Sequence, residues 1–238
     1  EVKTYRGDLD KVPANHRQLH WAQARVYGWL ICQQLQLDDV NIALVYFNIV
    51  SEQETLITER HTAAQLQAFF EAQCSIFLHW ARQEVAHVQA RNGALTGLKF
   101  PHGEFRSGQR VLAESVYKAV STGRCLMAQA PTGIGKTIGT VFPMLKAAPT
   151  QKLDKVFFLT AKTPGRKLAL DALSAIGRSA PHLKLRVLEM VARDKACEFP
   201  TNACNGDSCP LAKGFYDRLP AARSEAVGYV PLDKRTWF

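Results

Sequence analysis

The chain has 238 residues, 47% of them hydrophobic, which is enough for one sizeable core or two modest ones and excludes a disordered protein. The formal net charge of +9 favours polyanionic partners such as nucleic acid or anionic lipid. No stretch approaches twenty consecutive apolar residues, and the charged first residues do not form an export signal, so we expect a cytoplasmic protein with no membrane partner.

Periodicity and turn residues predict a first unit at residues 1–95. Its elements are an N-terminal strand, a helix at 16–37, a strand at 42–50, a return strand at 54–60, and a helix that Thr62 caps and that ends near 92–93. The glycine, proline and histidine residues that follow predict a linker at 96–104.

The second predicted unit, residues 105–238, alternates helices with apolar strands. The helices are predicted at 109–121, 136–147 and 166–176, and the strands at 124–129, 156–159 and 185–190. This alternation predicts an α/β fold with a parallel sheet that helices cover on both faces.

Residues 128–137, AQAPTGIGKT, have the composition of a phosphate-binding loop between a predicted strand and a predicted helix. In such loops backbone N–H groups converge on anionic oxygens, the lysine contacts the phosphates and the hydroxyl ligates magnesium. The alternative is a glycine-rich turn that contains a lysine, but the order of strand, loop and helix favours ATP with Mg²⁺. The predicted cofactor-binding residues of the loop are Thr132, Gly133, Ile134, Gly135, Lys136 and Thr137, with Lys136 also catalytic and Thr137 also a metal ligand.

The run APTGIGKT, with alanine first, resembles motif I of superfamily 2 helicases. The fuller run from FRSGQ to GKT resembles the XPD and DinG branch, in which an Arg-x-x-Gln pair upstream of the loop recognises adenine. The resemblance implies this role for Arg106 and Gln109, which follow the matching Phe105. From the residues alone, Gln109 also fits an exposed position in the first turn of a helix.

The segment FFLTAKTPGR, residues 157–166, is similar to motif Ia of the same helicases, which contacts the DNA backbone. The resemblance implies phosphate contacts by Thr160, Lys162 and Thr163, which position DNA without reading its sequence. Taken alone, these residues indicate only a polar loop.

The segment CEFPTNACNGDSCP places Cys197, Cys204 and Cys209 after motif Ia, where XPD and DinG helicases carry a four-cysteine [4Fe-4S] domain. The resemblance implies that these thiolates ligate such a cluster, with a fourth ligand expected beyond Phe238. A zinc site of three thiolates and His182 is the alternative metal centre, and three unligated loop thiols are also possible.

The N-terminal run EVKTYRGD resembles the Glu-x-Lys strand of PD-(D/E)xK nucleases, and QARVY matches the Q-x3-Y helix motif of their RecB and Cas4 branch. The resemblance implies that Glu1 helps to hold a divalent metal and that Lys3 orients or activates the attacking water. Gln23 and Tyr27, which lie one helical turn apart, would form a shared polar surface. The aspartate that completes the metal site in that family would precede Glu1, so we predict that this chain does not cleave DNA.

Together the motifs predict an α/β fold with a partial PD-(D/E)xK nuclease-like domain at 1–95 and a partial RecA-like P-loop NTPase domain at 105–238, whose cysteine-rich insertion begins near 190. The chain opens with Glu1 and closes on KRTWF, and we expect it to be a fragment. The parent is expected to be an ATP-dependent DNA helicase that acts on DNA that is single-stranded or has a single-stranded tail.

No Asp-Glu-x-His motif follows residue 163, so the chain by itself is predicted not to hydrolyse ATP. A zinc-bearing nucleic-acid-binding module and a nucleotide-binding regulator that unwinds nothing remain the alternatives. The sequence leaves the oligomeric state open.

Overall fold

A computed structural model describes residues 1–12, 14–161 and 163–227, apart from the side chains at 14, 15 and 163. The chain divides into two compact units, Glu1–Glu84 and Val85–Phe238, which are called unit 1 and unit 2 below. This division falls earlier in the chain than the boundary that the sequence predicts near residue 95. None of the helices in the described ranges is long and apolar enough to cross a membrane.

Unit 1 contains a three-stranded sheet in the order β1 (Val2–Tyr5), β2 (Asp39–Asn48) and β3 (Glu54–Thr62). β1 runs parallel to β2, with Lys3 beside Tyr46, and β2 pairs with β3 as an antiparallel hairpin. Helix α1 (Ala14–Leu35) packs on β2. The predicted strand, helix and hairpin are therefore present, in the predicted order.

The core of unit 1 follows from the alternation of β2, in which every second residue is buried. Ile42, Leu44 and Tyr46 face the helices. They pack with Ala24 and Cys32 of α1 and with Leu66 of the next helix. Helix and sheet approach closely at Gly28 of α1, where an added Cβ atom would lie 2.7 Å from Cδ1 of Ile42.

Helix α2 (Ala63–Thr96) begins with reciprocal capping bonds. The backbone N–H of Gln65 donates to Oγ1 of Thr62 at 3.2 Å, and the backbone N–H of Thr62 donates to Oε1 of Gln65 at 3.0 Å. The predicted cap at Thr62 is therefore confirmed. The helix continues through Gly93 to Thr96, beyond the predicted end.

Unit 2 is described mainly as helices: α3 (Gln109–Ser121), α4 (Lys136–Gln151), α5 (Thr163–Ser179), α6 (Arg193–Ala196) and α7 (Phe215–Ala226). α4 packs against both α3 and α5. Its buried face supplies Ile138, Val141 and Leu145 to a core that also contains Leu95 and Ile176. The bounds of α3 are those that the sequence predicts.

The predicted strands at 124–129, 156–159 and 185–190 form no sheet in the part of unit 2 that the structure describes. These segments have no regular secondary structure apart from a bridge at Leu188. Apolar residues on them are largely exposed; Leu159 is 88% exposed. A strand is stable only where neighbouring strands pair its N–H and C=O groups, and the described residues supply none here. The mixed α/β character therefore comes from the sheet of unit 1 and the helices of both units.

Candidate functional site

The phosphate-loop sequence forms a turn that ends on the first residue of α4. Gly133 and Gly135 have φ angles of +89° and +81°, a left-handed region that glycine adopts without a steric penalty. Gly135 caps α4, whose first backbone N–H groups have no partner within the helix. The start of such a helix can bind an anion, because its first N–H groups lack partners within the helix and the positive end of the helix dipole lies there.

Arg106 and Gln109 both donate hydrogen bonds to loop carbonyl oxygens. Nη1 of Arg106 donates to the Gly133 oxygen at 2.7 Å, and Nε2 of Gln109 donates to the Gly135 oxygen at 3.2 Å. Oε1 of Gln109 accepts the backbone N–H of Arg106 at 3.1 Å. Gln109 is only 2% exposed, so it is not the exposed helix residue that the sequence also allowed. The structure brings both predicted adenine-recognition residues onto the loop.

Lys136 lies over the loop that precedes it. Its ammonium group donates to the carbonyl oxygens of Ala130, at 3.1 Å, and Pro131, at 2.9 Å. The adjacent Thr137 is in the first turn of α4, while Thr132 is exposed and Ile134 is half-buried. Because the lysine remains exposed, its amine can exchange these two carbonyl contacts for phosphate oxygens.

The residues predicted from motif Ia are described only in part. Thr160 is exposed, three residues before α5 begins, and a Cβ atom added at Gly165 would collide with its hydroxyl oxygen. Lys162 lies outside the described residues. Thr163 begins α5, but its side chain is not described.

The three clustered cysteines do not converge. Sγ of Cys204 accepts a hydrogen bond from Nη1 of Arg193 at 2.9 Å, Sγ of Cys197 accepts the backbone N–H of Phe199, and Cys209 is buried elsewhere. Within the described ranges, no three side chains of the His, Cys, Asp and Glu types lie close enough together to hold a metal ion. In this arrangement the residues, His182 included, do not fit a [4Fe-4S] cluster or a zinc site.

In unit 1 the four residues predicted from the nuclease resemblance form one connected polar cluster. Nζ of Lys3 lies 2.9 Å from Oε1 of Glu1 and donates to Oε1 of Gln23, also at 2.9 Å. Nε2 of Gln23 donates to the hydroxyl of Tyr27 at 3.2 Å. Residues from β1 and from a helix more than ten positions away thus meet at one place, and Tyr27 remains 48% exposed.

The Lys3 ammonium sets the charge state of this cluster. The hydrogen bond from Lys3 lowers the pKa of Glu1, against the opposing effect of burial. The carboxylate therefore stays charged near neutral pH, which is the form that binds a divalent cation. A single carboxylate is present in the cluster, whereas a closed metal site requires several oxygen ligands.

His20 and Tyr46 extend the cluster and were not predicted from the sequence. Nδ1 of His20 and the hydroxyl of Tyr46 are 3.0 Å apart. Burial lowers the pKa of His20, the positive charges of Lys3 and His16 lower it further, and Glu1 acts in the opposite direction. The one available signal was position, since His20 lies one helical turn before Gln23 on the same face of α1.

Comparison with known proteins bears on unit 2. Residues 110–202 match the DEAD/DEAH box helicase family. This range includes the phosphate loop and α4.

A segment of 78 residues is 37% identical to a probable ATP-dependent helicase of Methanocaldococcus jannaschii. The aligned segment covers 33% of this chain and 12% of that protein. The chain thus spans only a small part of the length of this relative. No solved structure matches the chain. The two matches support an ATP-binding segment of the helicase superfamily.

Proposed function

We propose that unit 2 is the nucleotide-binding part of an ATP-dependent DNA helicase of the XPD and DinG type. The observation that carries this proposal is that Arg106 and Gln109 donate hydrogen bonds to the carbonyl oxygens of the two glycines in the phosphate loop. A glycine-rich turn without a nucleotide has no need of a buried glutamine and an arginine fixed to its carbonyl oxygens. The match to the helicase family over 110–202 supports the same function.

The loop is compatible with ATP and Mg²⁺, because the space beside Gly133 that a Cβ atom would occupy is open to a ligand. Lys136 would bind the β and γ phosphates and Thr137 would hold the magnesium ion. Arg106, which is exposed, would contact the adenine, whereas the buried Gln109 would hold the loop in place beside it. Hydrolysis of the bound nucleotide supplies the energy for movement along DNA, and the residues named here bind and orient it.

Thermal unfolding with and without ATP and Mg²⁺ tests this function. Nucleotide at about a hundred times its Kd is expected to stabilise the wild type by about 2.7 kcal/mol. Lys136→Ala is expected to remove this gain, because it removes the cation that meets the phosphates. Lys118→Ala, an exposed lysine of α3, is the matched control and should respond as the wild type does. Absence of any nucleotide effect in the wild type would refute the proposal.

The finer parts of this function concern DNA and the cysteines. We propose that the exposed Thr160, just before α5, contacts a DNA phosphate. Thr160→Ala should then weaken binding of single-stranded DNA about equally for all sequences.

For the [4Fe-4S] cluster, the cysteine spacing is the support and the dispersed thiols are the opposing observation. Analysis of iron, sulfide and zinc in protein purified without oxygen tests whether the cysteines hold a cluster. Stoichiometric zinc without iron would favour the zinc-bearing module.

A second candidate function, a nuclease-like site in unit 1, is favoured by the polar cluster of Glu1, Lys3, Gln23 and Tyr27. We propose that this cluster binds a DNA phosphodiester and, through Glu1, contributes to a divalent-cation site. With one carboxylate the chain is expected to bind DNA at this cluster and not to cut it. Incubation of end-labelled DNA with Mg²⁺ or Mn²⁺ should leave the strands intact, and cleavage that Lys3→Met abolishes would overturn this expectation.

A further inference from the structure

Two paired strand residues of unit 1 each contact one residue of α1. Lys3 of β1 and Tyr46 of β2 are paired in the sheet register, so their side chains lie on the same face. Gln23 of α1 contacts Lys3, and His20, one turn earlier, contacts Tyr46. Of these contacts, only the one between Lys3 and Gln23 joins residues that the sequence predicted for the cluster. The contact between His20 and Tyr46 has no assigned role.

The hydroxyl of Tyr46 fixes the orientation of the imidazole. Tyr46 is almost fully buried, and its ring centroid lies 5.7 Å from that of His20. Burial also raises the pKa of Tyr46, so the hydroxyl keeps its proton near neutral pH. Since Nδ1 of His20 is engaged with this hydroxyl, Nε2 is the ring nitrogen that can bind a ligand, and no hydrogen bond to it is found among the described residues.

Charge and exposure indicate the class of ligand. The ammonium of Lys3 lies close enough for its charge to act on His20, and two of its three donors are used by Glu1 and Gln23. A free donor of Lys3, the hydroxyl of the exposed Tyr27 and Nε2 of His20 would suit a group with several acceptor oxygens. The charge of Glu1 is offset by Lys3 and does not exclude an anion from the site.

We propose that His20 is a further ligand-contact residue of unit 1, whose Nε2 binds a non-bridging oxygen of a nucleic-acid phosphodiester beside the ammonium of Lys3. Tyr46 is the positioning residue that holds the imidazole in place. The inference rests on the proposed nuclease-like function and adds to it a residue that the Glu-x-Lys and Q-x3-Y motifs do not contain.

The probe is the dinucleotide TpT, which carries a single phosphodiester, titrated into the full chain without divalent metal. Imidazole resonances in two-dimensional NMR spectra report on each histidine, and the His20 signal is assigned by its loss in the variants. The expected result is a shift of the His20 signal on addition of TpT, with no shift for His79, which lies on α2 and contacts Gln83.

Two substitutions separate the ring nitrogens. His20→Gln places an amide near the position of Nε2, whereas His20→Asn places one near Nδ1 and keeps only the contact to Tyr46. We expect His20→Asn to weaken TpT binding about three- to tenfold, the size of one hydrogen bond, and His20→Gln to restore most of it. Tyr46→Phe should weaken binding less, because it frees the ring without removing Nε2. His79→Gln is the matched control and should bind as the wild type does.

The outcomes separate this inference from the function on which it rests. If Lys3→Met leaves TpT binding unchanged, the nuclease-like function of unit 1 fails. If Lys3→Met weakens binding while His20→Asn does not, that function stands and the role of His20 is refuted. Inorganic phosphate that shifts the His20 signal at the same concentrations as TpT would identify a general anion site and overturn the assignment to nucleic acid. Urea midpoints of each variant show whether a loss of binding reflects a loss of folding.

Discussion

Two glycines of the phosphate loop have nearly the same backbone conformation and very different surroundings. At Gly133 an added Cβ atom meets no atom within 4 Å, whereas at Gly135 it collides with the side-chain nitrogen of Gln109. Both residues have positive φ angles. The pair therefore separates the cost of backbone conformation from the cost of a lost contact.

Gly133→Ala is expected to destabilise unit 2 by about 1–2 kcal/mol, the cost of a left-handed conformation for a residue with a Cβ atom. Gly135→Ala should cost about 1–3 kcal/mol more, because it also leaves the buried amide of Gln109 without its partner. Urea unfolding followed by circular dichroism measures both values. Equal losses for the two variants would show that the bond between Gln109 and the loop contributes nothing.

His20 gives unit 1 a specific dependence on pH. Its pKa in the folded protein lies below the ordinary value of 6.5, so between these two values the unfolded chain binds more protons than the folded one. The stability that the neutral imidazole contributes is therefore complete above pH 6.5 and is lost as the pH falls below it.

We expect the stability difference between about pH 7.5 and about pH 5.5 to be smaller in His20→Gln than in the wild type, because glutamine does not titrate. The other groups around the ring, Lys3, His16, Glu1 and Tyr46, are unchanged in the variant. Urea midpoints at the two pH values provide the test. An unchanged difference would mean that His20 does not titrate differently in the folded state.

At this scale the sequence motifs named the residues, and the structure shows which of them are in contact. Glu1, Lys3, Gln23 and Tyr27 are joined by hydrogen bonds, and Arg106 and Gln109 reach the loop. His20 was missed because its partner, Tyr46, reads in the sequence as an ordinary strand residue. Only the register of β1 with β2 places that hydroxyl beside Lys3.

At the scale of elements, helices were predictable and the strands of unit 2 were not. The bounds of α3 follow from an amphipathic repeat, which is a local property of the sequence. A buried strand is recognised by apolar residues alone, but it forms a sheet only with partners. Residues 156–159 satisfy the first condition and, among the described residues, lack the second. The hairpin of β2 and β3 succeeds because each strand is the partner of the other.

Two glycines within helices make a second matched pair. Gly28→Ala should gain about 1 kcal/mol from helix propensity but lose more from overpacking, since the new methyl group would lie 2.7 Å from Ile42 and 3.2 Å from Leu66, both buried. The expected net effect is a loss of up to about 2 kcal/mol in the stability of unit 1.

Gly93→Ala in α2 meets no atom within 4 Å and is expected to stabilise the protein by about 0.5–1 kcal/mol. Thermal midpoints compare the two variants. A gain in Gly28→Ala would show that the contact between α1 and β2 has room for the added methyl group.

At the scale of the whole molecule, the two units have separate cores, and the tryptophans of the described residues lie in unit 1. Trp21, Trp29 and Trp80 are all in unit 1, and Trp237 lies outside the described residues. In a Trp237→Phe variant, tryptophan emission therefore follows unit 1, while circular dichroism follows the helices of both units.

ATP with Mg²⁺ is expected to raise the temperature at which the helices of unit 2 unfold and to leave the tryptophan transition in place, because a ligand stabilises only the unit that binds it. Melting curves recorded by the two signals on the same sample check this. Equal shifts in both signals would show that the two units unfold as one cooperative body.

The exposed apolar segments at 124–129 and 156–159 affect the behaviour of the purified chain in solution. Met127, Phe157 and Leu159 have exposed apolar side chains, and their backbone forms no strand pairing with other residues that the structure describes. Exposed apolar segments of this kind bind chaperones and fluorescent hydrophobic dyes, and they lead to aggregation as the protein concentration rises. A peptide that pairs with these segments as an added strand should therefore increase the solubility of the protein.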